Sequence, residues 1–185
     1  MADEEGSKRT GAAEMEERRR KITDLCRKGL TVAEIAAAKA GIIKRGTPCV
    51  VGPQPDAAMA VIEATAARLN APLVAQGQHW HVWRERDRLV FQDEDGLLDL
   101  PLPVLPGPHQ IDNAGTALAV LRQLGTTEDA CAAAMTGADW PARMQRLTEG
   151  PLVDALRPAE LWLDGGHNPA AGTALSETLR ALPPR

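Results

Sequence analysis

The apolar positions along the chain fall into helical and strand-like runs. Between Ile22 and Ala40 they recur at helical spacing, with a break at Gly29 and a restart at Thr31, three residues before Glu34. A threonine followed three residues later by a glutamate is a capping-box pattern, so we expect a new helix to begin there. The spacing next predicts a strand, a helix and a second strand in the segments PCVVG, PDAAMAVIEATAARLN and PLVAQG.

The middle of the chain carries short apolar runs separated by turn residues. Turn signals at Asp87-Arg88 and Asp95-Gly96 predict that the runs HWHVWRER, LVFQDED and LLDLPLPVL form an antiparallel meander. Helices are then predicted in IDNAGTALAVLRQLG, TEDACAAAMTG and NPAAGTALSETLRAL, and strands in PLVDAL and ELWLDGG. This order predicts an α/β fold with an antiparallel insertion and a parallel strand ahead of the last helix.

The turn dipeptide Gly150-Pro151 is the best candidate for a domain boundary, because it separates two series of helices and strands. We expect a charged leader at 1–29 that is partly disordered and partly helical, one domain at 30–149 and the start of another at 150–185. A parallel strand or two with one helix cannot close a core. The chain is therefore expected to stop inside a domain.

Composition narrows the classes of function. Lys and Arg number 21 and Asp and Glu number 25, so the net charge of −4 provides no basic field for nucleic acid. The three cysteines are irregularly spaced and form no C-x-x-C pair, which favours reduced thiols over a disulfide framework or a zinc site. No apolar run approaches the ~20 residues that span a bilayer. We expect a cytoplasmic protein that binds neither membrane nor nucleic acid.

The stretch LWLDGGHNPAAG combines an apolar strand with residues that can do chemistry. At the end of the strand, Asp164 could accept hydrogen bonds from sugar hydroxyls, and the glycines after it let a ligand approach the backbone. Asn168 would cap the next helix, with Pro169 in its first turn. The alternative is that Asp164 and Asn168 only end a strand and begin a helix.

Four such stretches occur in one order: EIAAAKAGIIKRGTPCVVG, PGPHQIDNAGTALAVL, WPARMQRL and LWLDGGHNP. Together they resemble the folylpolyglutamate synthase and dihydrofolate synthase family of the Mur ligase group, from about Leu30 onwards. The resemblance implies a Mur-ligase-like fold, with the end of the ATP-binding central domain followed by the first strand or strands and helix of a Rossmann-like C-terminal ligase domain.

The resemblance also implies roles for four residues. Asn113 of the HQxxNAxxA motif would lie against the adenine of ATP, and Arg143 of the WPxRM motif would reach its phosphates. Asp164 would contact the nucleotide, and His167 would sit beside the reaction site. In this family's D-G-A-H-N-P turn, Gly166 stands here in place of alanine.

The resemblance implies a metal role for Lys39, which matches the lysine of the family's EKAGI motif. The family's lysine at this place can be carbamylated, which gives a carboxylate-like group that helps to hold a second magnesium ion. Carbamylation needs a neutral amine and hence a desolvated or cation-rich setting. Ala38 stands where the family has glutamate, so the local charge differs.

The implied chemistry is an ATP- and Mg²⁺-dependent addition of L-glutamate to dihydropteroate or folate through an acyl phosphate, by a monomer. The phosphate loop G-x-x-x-x-G-K-[ST] does not occur in the 185 residues. We therefore expect weak ATP binding and no turnover by this chain alone. A non-catalytic remnant, or a piece of the ligase that binds a partner, is the alternative.

Two other interpretations are less favoured. A helix-turn-helix DNA-binding module at 17–45 would need a third helix near Ile42, where Gly46 and Pro48 break the pattern. His79 and His81 could form a metal pair, but no third ligand accompanies them, so we assign them no site.

Overall fold

The computed structural model describes residues 29–182, and the chain divides into two compact units after Leu73. All but the last residue of the charged leader predicted at 1–29 lies outside the described residues. The boundary predicted at 149/150 does not coincide with the division into units, and it stays a prediction about domains.

The first unit holds two helices around a short strand: α1 Val32–Ala40, β1 Cys49–Val51 and α2 Asp56–Arg68, followed by the start of β2 Leu73–Ala75. The capping box predicted at the start of α1 is confirmed, since Thr31 N donates to Glu34 Oε2 over 2.8 Å and Glu34 N donates to Thr31 Oγ1 over 3.3 Å. The Glu34 carboxylate accepts from both Thr31 N and Thr31 Oγ1, and these two bonds hold its pKa below the usual value. Turns occupy residues 41–48, where the DNA-binding alternative would need its third helix.

The second unit is built on the predicted meander, which is confirmed as a three-stranded antiparallel sheet in the order β3-β4-β5. Its strands are β3 His81–Glu85, β4 Arg88–Asp93 and β5 Gly96–Pro101. Leu89, Phe91 and Leu100 are buried in it, and the ring of Trp80 stacks on that of Phe91 with 5.8 Å between the centroids. These side chains form the core against which the next helix packs.

Two helices follow the sheet, α3 Gln110–Gln123 and α4 Glu128–Gly137, both close to their predicted bounds. Gly115 lets α3 approach β3 closely, because a Cβ at this position would lie 2.5 Å from Val82 Cγ1 and 2.8 Å from Trp80 Cζ3. At the other end of α3, the Arg122 guanidinium donates two hydrogen bonds of 3.0 Å to the Asp93 carboxylate and so ties the helix to β4. The same bonds raise the pKa of Arg122.

The last part of the second unit corrects two predictions. Its elements are β6 Gln145–Leu147, α5 Pro151–Leu156, β7 Leu161–Leu163 and α6 Pro169–Ala181. PLVDAL was predicted as a strand, but it forms the helix α5 with Pro151 at its first position, where the missing N–H costs nothing. The strand before Asp164 was predicted to be parallel, but β7 pairs antiparallel with β6, a strand that the sequence did not predict.

Two further predictions concern cysteines and membranes. The two described cysteines, Cys49 and Cys131, are free, and burial raises the pKa of each thiol. Within residues 29–182, no helix has both the length and the apolar character required to cross a membrane.

Candidate functional site

A cleft of about 520 Å³ opens in the second unit. Three segments line it: the first turns of α3 with the loop before them, the loop that leads into β6, and the start of α6 with the residue that follows β7. The lining residues are Leu105, His109, Gln110, Asn113, Trp140, Arg143, Met144, Asp164, Ala171, Ala174 and Leu175. The structure thus brings together all three residues predicted to bind nucleotide, which are Asn113, Arg143 and Asp164.

The wall formed by α3 carries a chain of hydrogen bonds between side chains. Asn113 Nδ2 donates to Gln110 Oε1 over 3.0 Å, and Gln110 Nε2 lies 3.1 Å from His109 Nε2. Gln110 is 6% exposed, whereas Asn113 is exposed at the cleft. The buried amide of Gln110 therefore fixes the exposed amide of Asn113 by a hydrogen bond.

The opposite wall is a short loop with an unusual backbone. Ala142 and Met144 have φ of 57° and 46°, in the left-handed region that side chains rarely occupy, and Arg143 lies between them. The Ala142 N–H donates to Gln145 Oε1 over 3.0 Å, which helps to hold the turn. Arg143 is exposed and forms no ion pair with any carboxylate in residues 29–182. Its guanidinium is available for an anion.

Asp164 fastens this loop to the turn after β7. Its Oδ2 accepts from the Met144 N–H over 2.9 Å and its Oδ1 accepts from the Gly166 N–H over 2.7 Å. A third bond, from the Gly165 N–H to the Ala142 carbonyl over 2.8 Å, joins the same two segments. Asp164 is half-buried and borders the cleft. Its two hydrogen bonds join the turn after β7 to the loop that presents Arg143.

The turn itself is a tight junction between β7 and α6. The predicted cap is confirmed, since Asn168 Oδ1 accepts from the Ala171 N–H over 2.9 Å and Pro169 occupies the first position of α6. At Gly166, an added Cβ would lie 2.9 Å from Asp164 Oδ1 and 3.0 Å from Ala171 Cβ. The glycine found here in place of the family's alanine avoids this close contact, because it has no Cβ.

His167 lies beside the cleft rather than in its lining. It is exposed, and its Nδ1 is 2.9 Å from the Gly165 carbonyl oxygen. A carbonyl only accepts, so Nδ1 carries the hydrogen and donates it. With the hydrogen on Nδ1, the Nε2 atom is the ring nitrogen that can accept a proton.

The remaining sequence candidates lie elsewhere. Lys39 belongs to the first unit, where it is exposed in the last turn of α1 and borders an apolar hollow of about 260 Å³. His79 lies in the turn before β3, where its Nδ1 accepts from the Ala75 N–H over 3.1 Å, and His81 is exposed on β3. Within residues 29–182, no group of three or more His, Cys, Asp or Glu side chains could hold a metal ion.

The sequence analysis gave no role to two residues of the cleft. Trp140 borders it with 65% of its surface exposed, and Gln110 is the buried link behind Asn113. Both fall in the stretches that carry the family resemblance. Their separation in the sequence gives no sign that they share a cleft.

Known proteins share this arrangement of elements. A dihydrofolate synthase/folylpolyglutamate synthase of Mycobacterium tuberculosis is 32% identical over 170 residues, which cover 82% of this chain and 33% of the relative. A solved structure of a folylpolyglutamate synthase with AMPPCP and folate matches 85% of this chain at 28% identity with a TM-score of 0.67, which is 39% of the solved chain. The chain is therefore similar to folylpolyglutamate and dihydrofolate synthases over most of its own length.

Other comparisons with this family agree. The Mycobacterium tuberculosis folylpolyglutamate synthase solved with ADP matches 83% of this chain at 31% identity with a TM-score of 0.66, over 35% of the solved chain. The mixed α/β fold predicted from the resemblance is therefore confirmed. No protein-family model matches the chain. The chain spans about a third of the length of three curated synthases that it matches, and 18% of a longer bifunctional relative.

Proposed function

We propose that this chain supplies the adenosine-binding part of the ATP site of an ATP-dependent ligase that adds L-glutamate to a pteroate or folate. The observation that carries the proposal is the shared cleft of Asn113, Arg143 and Asp164. Relatives named folylpolyglutamate synthase have been solved with ADP and with AMPPCP and folate. These ligands support the choice of an adenine nucleotide and of a folate acceptor in the proposal.

Each cleft residue has a chemical task in this proposal. The Asn113 amide can accept from the purine 6-amino group and donate to a ring nitrogen. Arg143 forms charge-assisted hydrogen bonds with phosphate oxygens. The Asp164 oxygens each accept one backbone hydrogen bond and keep lone pairs for ribose hydroxyls. Trp140 offers an exposed ring against which a base can stack.

The complete reaction would join two steps. A folate carboxylate attacks the terminal phosphorus of ATP, which forms an acyl phosphate and releases ADP, and the amino group of glutamate then displaces inorganic phosphate to form the amide. In this proposal His167 stands beside the reacting groups and takes the proton that the amine loses through its free Nε2. Magnesium bound with the phosphates would neutralise their charge in this reaction, and a carbamylated Lys39 that helps to hold a second ion remains a proposal.

Removal of the Arg143 guanidinium tests the proposal, because it should lower the affinity for ligands that carry phosphate and leave the affinity for adenosine unchanged. Arg143 is the one permanently charged cation among the described residues that line the cleft, so we expect ATP to bind weakly and only modestly tighter than AMP. R143A should weaken ADP binding by about tenfold, because an exposed charge-assisted hydrogen bond is lost, and should leave adenosine binding unchanged. Isothermal titration calorimetry of both ligands measures these effects.

The matched control is R157A. Arg157 is also exposed and pairs with Asp154, away from the cleft, so its removal should change neither affinity. Equal losses of ADP affinity in R143A and R157A would contradict the proposed role of Arg143. Adenosine that fails to bind at all would contradict the proposed function and favour a non-catalytic role for the chain.

A further inference from the structure

The side chains of His109, Gln110 and Asn113 form one line of hydrogen bonds that ends at the cleft. The bond from Asn113 Nδ2 to Gln110 Oε1 is 3.0 Å long, and Gln110 Nε2 is 3.1 Å from His109 Nε2. His109 and Asn113 both border the cleft, and the buried Gln110 connects them. The middle residue of the line can therefore control the outer one.

The polarity of each group gives the line a direction. An amide nitrogen only donates and an amide oxygen only accepts. Gln110 receives a hydrogen bond from Asn113 at its oxygen, so its nitrogen is left to donate to His109 Nε2. That ring nitrogen must then carry no hydrogen, which places the hydrogen of the neutral ring on Nδ1. His109 Nδ1 is buried and has no hydrogen-bond partner within the described part of the chain.

The direction of the line decides what Asn113 offers to a ligand. With Nδ2 turned towards Gln110, the carbonyl oxygen Oδ1 receives no hydrogen bond from any residue in 29–182 and is free to accept one. Adenine carries an amino group at position 6, which donates, whereas guanine carries a carbonyl there, which cannot. An acceptor held in place thus favours adenine.

We propose that Gln110 is a positioning residue which, by fixing the amide of Asn113, makes the cleft select adenine over guanine nucleotides. This inference rests on the proposed function, since it concerns the base of the nucleotide bound there. If Gln110 served only the packing of α3, its loss would lower the affinities for adenine and guanine nucleotides by the same factor. If it sets the direction of the amide, its loss changes their ratio.

The experiment compares the ratio of ADP to GDP affinity in three proteins by calorimetry. The wild-type chain should prefer ADP by about tenfold or more, the scale of a matched pair of base contacts. Q110M keeps the volume but frees the amide of Asn113, so the ratio should fall towards one. Q110E keeps an oxygen that accepts from Asn113, so the preference for ADP should remain.

The outcomes separate this inference from the proposed function. Unchanged selectivity in Q110M, or a wild-type chain that binds ADP and GDP equally, would overturn the role of Gln110 and leave nucleotide binding in place. A wild-type chain that binds neither nucleotide would overturn both. Thermal unfolding of Q110M shows whether the variant is folded at the temperature of the titration.

A second variant tests the line of bonds without any nucleotide. N113D at the exposed end removes the donor, so Gln110 must turn its nitrogen outward and its oxygen towards His109. His109 Nε2 must then gain a hydrogen, and ¹⁵N NMR of the ring detects the change from an acceptor to an N–H. Q123E is the control, because it makes the same chemical change at an exposed site at the far end of α3. The inference fails if the ring of His109 keeps its tautomer in N113D.

Discussion

Replacement of Gly107 by alanine is expected to lower the free energy of unfolding of the second unit by about 2–4 kcal/mol, from backbone strain and overpacking together. The φ of Gly107 is +120°, which an L side chain rarely adopts. An added Cβ would also lie 2.5 Å from Thr178 Oγ1 and 2.6 Å from His109 Cε1. Thr178 is 2% exposed and its hydroxyl donates to the Ala174 carbonyl over 2.7 Å, so moving it aside would break a buried hydrogen bond.

The control for this change is G125A. Gly125 also has a positive φ, of 67°, but nothing lies within 4 Å of an added Cβ. Only the backbone cost of about 1–2 kcal/mol is therefore expected. All four tryptophans lie in the second unit, so their fluorescence in a urea titration reports its unfolding. Equal losses in G107A and G125A would show that the contact with Thr178 and His109 contributes nothing.

D164A is expected to destabilise the second unit by about 2–4 kcal/mol, because two backbone N–H groups lose a charged acceptor. The same change should weaken ADP binding by about tenfold or more, since the loop that presents Arg143 loses its attachment. Ala142 and Met144 stay in the left-handed region only while such bonds hold them. Urea unfolding and calorimetry measure the two effects.

D154A provides the matched change of an aspartate in the same unit. Asp154 is 66% exposed and pairs with Arg157 three residues along the chain, so its loss should cost no more than about 0.5 kcal/mol. If D164A is as stable as D154A, then Asp164 does not hold the loop. If D164A is destabilised but still binds ADP as the wild type does, then Arg143 needs no such support.

Local patterns in the sequence predicted the elements whose signals are local. Thr31 and Glu34 carry both halves of a capping box, and the turns at Asp87-Arg88 and Asp95-Gly96 specify a meander. The antiparallel partner of β7 escaped prediction because Gln145–Leu147 is short and two of its three residues are exposed, so it has no apolar periodicity.

The error at PLVDAL has a different cause. Short apolar runs suit either a strand or a helix, and the choice of strand gave too little weight to Pro151 directly after Gly150. Proline at the first helical position, followed by apolar residues at Leu152, Val153 and Leu156, fits one side of a short helix. This signal was present in the sequence.

The candidate site shows the same division. Asn113, Arg143 and Asp164 were predicted from motifs, and the three residues line one cleft. The bonds from Asp164 to the loop of Arg143, and the line that runs through Gln110, depend on contacts between segments and on side-chain rotamers. No spacing rule encodes them.

The most direct test of the nucleotide-binding cleft is an NMR titration of the chain with ADP that follows individual side chains. We expect the NMR resonances of three groups to shift together and to give one dissociation constant: the Asn113 side-chain amide, the Trp140 indole N–H and the Arg143 guanidinium N–H. The indole of Trp83, which is partly exposed on β3 and does not border the cleft, should stay in place. Shifts at Trp83 without shifts at Asn113 and Arg143, or no shifts at any of them, would contradict adenine nucleotide binding in this cleft.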